Sequence, residues 1–249
     1  MRLLSYNIHK GIGGHDRRYD LDRIIEVVEH ENPDFINLQE VTHKFKRCRG
    51  DDQPTVLVER LRPTEAMYQT NVTWAHGSYG NLILARWPMR SRHQISLRQG
   101  TKKPRGAQIA VIETPEGLLK IVNLHLGLSE GERHWQMARL LDHRAFHEYD
   151  EVPTLIAGDF NDWRNTLAAN SLTTHGFQHA TAPPSRFRSF PAWFALVSLD
   201  KAFARGELTI REVRVVKSAA TRRASDHLPL VVDFHLGTPV KSHGAPTGK

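Results

Sequence analysis

Six short apolar segments of this chain run into polar residues that are poorly suited to burial. Such segments are typical of buried β-strands, and the loops beyond strand ends are where a scaffold exposes reactive side chains. One polar strand end is usually a turn or cap residue, but six of them indicate that the strands share a functional edge. The residues concerned are Asn7, Glu40, His125, Asp159, Asn161, Asp200, Asp226 and His227.

The spacing of apolar residues predicts an α/β fold with a mixed sheet system. One helix is predicted from Leu21 until Asn32-Pro33 ends it, and another over residues 130–147. No internal repeat or linker is visible, so one domain is predicted over residues 1–237, followed by a disordered tail over residues 238–249. Strands are predicted at residues 3–8, 35–41, 82–85, 108–113, 118–124, 154–157, 198–204, 208–217 and 230–234.

Composition excludes several classes of protein. The chain has a single cysteine, Cys48, which rules out an internal disulfide framework and a cysteine-rich zinc site. No apolar run approaches the roughly 18 residues of a membrane-spanning helix, and the first residues resemble a core strand rather than a secretory leader. We therefore expect a cytoplasmic protein without an integral membrane segment, and we expect it to be a monomer.

The charge balance favours an anionic partner. The formal net charge is +7, and basic residues cluster at Lys44, Lys46, Arg47 and Arg49, directly after Glu40. Two interpretations remain open for such a cluster, namely a solvated surface or a binding surface for phosphate.

The polar strand ends suit the hydrolysis of a phosphate ester. Carboxylate and amide oxygens are hard ligands, which match Mg²⁺ or Mn²⁺ better than zinc. A metal ion held by Glu40 and Asn7 would neutralise charge that builds on phosphoryl oxygens. His227 is the natural partner of a water or a phosphate oxygen, and Asp200 would fix its tautomer through the other ring nitrogen. No residue of the set lies in a context typical of a covalent nucleophile.

In their order along the chain, these residues resemble the motif series of the endonuclease/exonuclease/phosphatase family. That family includes deoxyribonuclease I, abasic endonucleases, neutral sphingomyelinases, inositol-phosphate 5-phosphatases and deadenylases. The resemblance implies a four-layer α/β/β/α sandwich of two mixed sheets with a site at one edge. It rests on Asn7, Gln39-Glu40, His125, Gly158-Asp159-Phe160-Asn161, Leu199-Asp200 and Ser225-Asp226-His227. The stretches 7–11, 125–128 and 158–164 further resemble a group of small bacterial members.

The resemblance also implies a metal site. Glu40 would be the principal ligand of Mg²⁺ or Mn²⁺, and Asn7 and Asp226 would complete the shell through water. Arg105 resembles an arginine that supports the site in the family.

The remaining catalytic roles follow from the same resemblance. Asp159 would lie near the attacking water, Asn161 would hold a phosphate oxygen, and Asp200 would pair with His227. Either Asp159 or His227 would take the proton, and the sequence leaves that choice open. His125 resembles the histidine of the deoxyribonuclease I branch, where it would act as an acid or a phosphate ligand.

The substrate is the least constrained expectation. Nucleic acid, DNA first, is predicted because Lys44, Arg47 and Arg164 would place positive charge at the rim. A phospholipid headgroup or another small phosphodiester is the alternative, since Phe190, Trp193 and Phe194 would form an apolar wall. A third hypothesis is a catalytically silent module that binds nucleic acid.

Overall fold

Two six-stranded mixed sheets pack face to face in the computed structural model, which describes residues 1–237. The predicted tail over residues 238–249 lies outside the described residues. In chain order the strands are β1 (Arg2–Asn7), β2 (Phe35–His43), β3 (Glu65–Trp74), β4 (Gly77–Ala85), β5 (Met89–Ser96), β6 (Gly106–Thr114), β7 (Gly117–His125), β8 (Thr154–Asp159), β9 (Gln178–His179), β10 (Asp200–Arg205), β11 (Leu208–Val215) and β12 (Leu230–Leu236). The first sheet has the order β11-β12-β1-β2-β4-β3, and the second has the order β5-β6-β7-β8-β10-β9.

Helices cover the outer faces of both sheets. They are α1 (Asp22–Glu31), α2 (Gln53–Leu61), α3 (Glu130–Leu141), α4 (Arg144–His147) and α5 (Ala219–Ala224). One apolar cluster lies between the sheets, a second joins the first sheet to α1, and a third joins the second sheet to α3 and α4. The predicted four-layer α/β/β/α sandwich is therefore confirmed. No helix within residues 1–237 is long and apolar enough to cross a membrane.

The first helix shows why these residues form their elements. Ile24, Ile25 and Val28 recur on one face of α1 and are buried against the first sheet. Each such side chain contributes about 1.5–3 kcal/mol by leaving water. Asn32 then adopts a left-handed conformation with φ 45°, and Pro33 follows it, so the helix ends where the sequence predicted.

Buried amides cross the interface between the two sheets. Asn37 Nδ2 donates to the carbonyl oxygens of Val122 at 3.2 Å and Ala157 at 3.1 Å. Gln39 Nε2 donates to Asn123 Oδ1 at 2.7 Å. Each of these amides donates to an atom of the opposite sheet. The hydrogen bonds therefore fix how the two sheets are aligned, in addition to holding them together.

The sequence-based elements needed corrections. The helix predicted over residues 130–147 is wrong as one element, because it breaks near Asp142, and His143 Nδ1 accepts from the Ala145 amide at 3.1 Å to begin α4. The strand predicted over residues 198–204 begins only at Asp200. The prediction missed α2, α5, β3, β5 and the two-residue β9.

Candidate active site

Strand register in the second sheet places three predicted site residues in one row. His125 and Asp159 are parallel partners at the carboxyl ends of β7 and β8. Asp200 is the antiparallel partner of Asp159, so it lies at the amino end of β10 rather than at the strand end that the sequence suggested. Neighbouring residues in register point to the same face, and all three side chains are buried.

The first sheet contributes from the opposite side. Asn7 ends β1, and the Asp226-His227 pair lies in the loop that leads into β12, which runs antiparallel to β1. Glu40 lies inside β2, not at its end, at a bulge where Gln39 and Glu40 together oppose one residue of β4. Its backbone has φ 60°, and the extra residue turns its side chain out of the regular alternation.

One carboxylate oxygen, Oδ2 of Asp159, is the centre of the arrangement. Asn7 Nδ2 donates to it at 2.9 Å, and the Nε2 atoms of His125 and His227 lie 3.4 Å and 3.8 Å away. The other oxygen, Oδ1, accepts from the Asn161 amide at 3.0 Å. Both sheets therefore fix the direction of this carboxylate.

The predicted Asp–His pair is present in the structure. His227 Nδ1 donates to Asp200 Oδ2 at 2.8 Å, and Ser189 Oγ donates to the same oxygen at 2.5 Å. Because Nδ1 is occupied, Nε2 is the nitrogen that faces Asp159 and the interior of the site.

The contact with Arg105 explains the tautomer and the neutral charge of His125. It is buried and lies just before β6, where one of its Nη atoms donates to His125 Nδ1 at 3.2 Å. A guanidinium has no acceptor, so Nδ1 accepts and the ring proton sits on Nε2, toward Asp159. Burial, reinforced by the charge of Arg105, lowers the pKa of His125 well below its usual value, and the ring is neutral.

The two central groups have opposite protonation tendencies. Burial raises the pKa of Asp159 to about 6, although the charge of His227 acts to lower it. Burial alone would lower the pKa of His227, but the carboxylates of Asp200 and Asp159 outweigh it and raise that pKa to about 10. At neutral pH the arrangement therefore holds an ionised Asp159 beside a protonated His227.

Local steric constraints and hydrogen bonding explain the residue types at Gly158 and Asn161. A side chain on Gly158 would place its Cβ atom 2.1 Å from the Leu124 carbonyl oxygen, so only glycine fits beside β7. Asn161 adopts φ 51°, a conformation that asparagine tolerates, and its Nδ2 donates to the Leu126 carbonyl oxygen at 2.9 Å.

Glu40 carries the negative charge that a metal ion would need. Burial alone would raise the pKa of Glu40, but the ammonium of Lys10, which forms an ion pair with Oε2, keeps the pKa below its usual value. A cation is thus stabilised at this carboxylate. Asn7 Oδ1 accepts one bond, from the His9 amide at 3.0 Å, and Asp226 is half-buried, 3.8 Å from His9 Nδ1. These hard oxygen donors fit Mg²⁺ or Mn²⁺.

A second group of potential ligands consists of Asp159, Asp200 and His227, whose donor atoms lie within 4.8 Å of one another. In the metal-free protein the carboxylates of Asp200 and Asp159 favour the protonated His227 ring, so a metal ion at this position would have to displace that proton. Without a metal, the three residues form a buried group suited to proton transfer.

The predicted substrate-binding residues occupy different environments. Lys44 and Arg47 are exposed, and Lys44 lines an open depression of about 450 Å³ together with Lys46, Arg49, Gly50 and His76. Arg164 is also exposed and lies 3.5 Å from Glu130. Arg105 differs from them because it is buried behind His125.

Sequence reasoning missed Lys10 and Ser189. Lys10 belongs to the stretch 7–11, which resembles the small bacterial members but does not predict an ion pair. Its partner Glu40 lies 30 positions away along the chain. Ser189 lies 11 positions before Asp200, in the stretch 189–192 that also resembles the small bacterial members, and that resemblance did not predict its hydrogen bond to Asp200.

Comparison with known proteins identifies the family. The family model described as Endonuclease/Exonuclease/phosphatase family matches residues 4–227, and the chain belongs to that family. The protein YbhP of Escherichia coli (strain K12), described as uncharacterized, is 29% identical over 248 residues, covering 94% of this chain and 96% of its own length.

Solved structures share the fold. An endonuclease/exonuclease/phosphatase from Beutenbergia cavernae has a TM-score of 0.78 at 23% identity, over 95% of this chain and 72% of that one. A mannosyl-6-phosphatase from Bacteroides thetaiotaomicron has a TM-score of 0.72 at 17% identity, over 94% and 99%. Membership of the family makes this chain a metal-dependent phosphoesterase in general terms.

Proposed function

We propose that this protein is a divalent-metal-dependent phosphodiesterase that acts on nucleic acid, DNA first. The observation that carries the hydrolytic part is the convergence of Asn7 and His227 on one oxygen of Asp159, beside the ionised Glu40. Glu40, with Asn7 and Asp226, would hold Mg²⁺ or Mn²⁺, which supplies positive charge to the phosphoryl oxygens when bound.

The protonation tendencies of the two central groups support one division of the catalytic roles. Asp159 is ionised at neutral pH and therefore takes the proton of the attacking water, whose oxygen forms the new bond to phosphorus. His227 is protonated, so it stabilises negative charge and donates a proton to the leaving oxygen as the ester bond breaks. Asp200 orients and stabilises the imidazolium, and the free N–H of Asn161 is a donor for a phosphoryl oxygen. The neutral His125 directs its Nε2–H toward Asp159, and it can turn this donor to a phosphoryl oxygen once Asp159 takes a proton.

Charge supports nucleic acid as the substrate. The chain has a formal net charge of +7, and Lys44, Arg47 and Arg164 are exposed on loops that adjoin site residues. A polyanion gains affinity from each such contact through the release of counterions. A cytoplasmic location and a monomeric state remain part of the proposal.

A phospholipid headgroup is the second candidate, and the exposure of apolar side chains near the site favours it. Trp193 is 46% exposed and Phe194 is 71% exposed, in the loop that ends beside Asp200.

Salt distinguishes the two candidates. Plasmid DNA, abasic duplex, RNA, a lysophospholipid and a phosphoinositide should be compared at low and high salt with Mg²⁺ or Mn²⁺. Turnover of DNA should fall by orders of magnitude as salt rises, whereas a small diester should respond little. Fast, salt-insensitive turnover of a lipid together with intact plasmid would reject the nuclease proposal. Tight DNA binding without cleavage of any ester would instead favour the silent binding module.

Neutralisation of the rim gives an independent check. Replacing Lys44, Lys46, Arg47 and Arg49 together with glutamine should lower the ratio of DNA turnover to turnover of bis-p-nitrophenyl phosphate. An unchanged ratio would show that this loop does not contact the polyanion.

A further inference from the structure

Large apolar side chains are exposed mainly around the candidate site. Within residues 1–237 seven such side chains are exposed. One of them, Trp135, lies on α3 and is not grouped with the others. The other six follow or contact elements that carry site residues, and we name them the apolar collar: Trp74, Leu128, Trp163, Trp193, Phe194 and Leu196. Scattered exposed apolar residues are ordinary, but a concentration around one site indicates a binding surface.

The loop of residues 190–197 forms the collar on the side of His227. The Phe190 ring lies 4.9 Å from the His227 ring, between centroids, and the Ala192 amide donates to the Asp226 carbonyl oxygen at 2.7 Å. A Cβ atom on Gly14 would lie 2.8 Å from the Trp193 ring and 2.6 Å from Asp226 Cα. Trp193 therefore packs beside Asp226, and the loop is fixed to the site.

Arg133 supports the collar on the side of Asn161. This arginine is buried, and it donates to the Leu128 carbonyl oxygen at 2.6 Å. Its guanidinium also lies 5.7 Å from the centre of the Trp163 ring. One buried side chain thus positions two exposed apolar groups, which follow His125 and Asn161 along the chain.

Trp74 forms the collar on the side of Glu40. Its ring stacks on Tyr79 at 5.2 Å and lies 5.1 Å from the Phe45 ring. The ammonium groups of Lys10 and Lys103 lie 5.4 Å and 5.1 Å from the Tyr79 ring, so aromatic faces and positive charges alternate here.

We propose that the apolar collar is a stacking surface for unpaired nucleobases, and that the phosphodiester entering the site belongs to single-stranded DNA. This inference rests on the proposed nuclease function. Surfaces for single-stranded nucleic acid combine aromatic rings, on which bases stack, with basic groups that follow the backbone. Four of the six collar residues are aromatic, and the exposed Lys44, Lys46 and Arg49 adjoin Phe45 and Trp74. Paired bases in a duplex hide the faces that these rings would contact.

The test measures binding without turnover. The full-length protein in EDTA is titrated into fluorescein-labelled oligothymidylate or its duplex with oligoadenylate, and the anisotropy gives each Kd. We expect the single strand to bind at least tenfold more tightly. The double variant Trp193→Ala/Phe194→Ala should lose roughly 5- to 150-fold for each base that no longer stacks. Trp163→Ala should weaken single-strand binding from the other side of the site, and the matched control Trp135→Ala should change nothing.

Three results would overturn the proposal. They are equal affinity for single strand and duplex, unchanged single-strand affinity in both collar variants, or a loss confined to binding of phosphatidylglycerol vesicles, which would assign the collar to a lipid surface. Circular dichroism of each variant identifies any failure to fold. The nuclease function fails separately if single-strand binding depends on the collar but no strand is cut after Mg²⁺ or Mn²⁺ is added.

Discussion

The buried half of the site and its exposed rim differ in how completely their polar groups are fixed. Asp159, Asp200 and His227 are at most 5% exposed, and each has hydrogen-bonding or ionic partners from other strands or loops. Arg164, in contrast, leaves 72% of its side chain exposed, with one carboxylate at 3.5 Å. The difference predicts that strand geometry sets the chemistry, whereas loops whose contacts form only on binding set the choice of substrate.

The largest effects are expected in the buried half. Asp159→Asn and His227→Ala should each lower kcat by at least about 10²-fold, because a positioned acid or base contributes that much. The measurement is steady-state hydrolysis of bis-p-nitrophenyl phosphate with Mg²⁺ or Mn²⁺, with circular dichroism as the control for folding. Near-normal turnover in either variant would show that the role assigned to that residue is wrong.

Substitution of Glu40, which is partly exposed between the buried half and the rim, tests where the metal ion binds. Glu40→Gln keeps the shape of the side chain but removes its charge, so affinity for Mn²⁺ should fall by at least about 10-fold. Calorimetric titration of Mn²⁺ measures this without turnover, and Glu130→Gln, at the rim, is the matched control. Equal Mn²⁺ affinity in wild type and Glu40→Gln would place the metal elsewhere, with the Asp159, Asp200 and His227 group as the next candidate.

Proton affinity gives a sharper view of the buried half. In metal-free protein, His227 should remain protonated through neutral pH and lose its proton as pH rises toward about 10. Asp200→Asn removes the nearest negative charge and should lower the pKa of His227 by about one unit or more, a tenfold loss of proton affinity. Imidazole NMR signals follow the titration. The sign matters here, because an unchanged or higher pKa would mean that Asp200 does not stabilise the imidazolium.

The smallest effect is expected at a single exposed rim residue. Arg164→Ala should remove at most one phosphate contact, which would lower the magnitude of the salt dependence of DNA binding by about 0.9. Binding at several salt concentrations measures this slope. A much larger loss would contradict the view that rim contacts are individually weak and interchangeable.

The fold was predictable where apolar patterns repeat. The buried strands β1, β7 and β8 were identified because their segments are mostly apolar and end in polar residues. The missed strands β3, β5 and β9 each lie at an edge of a sheet, and edges carry charged and polar residues that break the pattern.

The site was predictable as a set of residues but not as a geometry. His227 and Asp200 were correctly placed together, since the ordered motifs imply their contact. The bulge at Glu40, the ion pair with Lys10 and the burial of Arg105 depend on the register between distant strands and loops, which no local pattern encodes. The roles of these residues stay predictions until the variants are measured.

The amides that cross between the sheets have a consequence for how activity is lost. Asn37, Gln39 and Asn123 keep the two halves of the sandwich from sliding, and the Asn7–Asp159 and His227–Asp200 contacts span the same seam. A displacement of about 1 Å at reacting groups is enough to cost 10²-fold in rate. Under mild denaturation, turnover should therefore vanish while both sheets keep their strands. Loss of catalysis would then reveal that the two sheets have shifted relative to each other, before spectroscopy shows any loss of secondary structure.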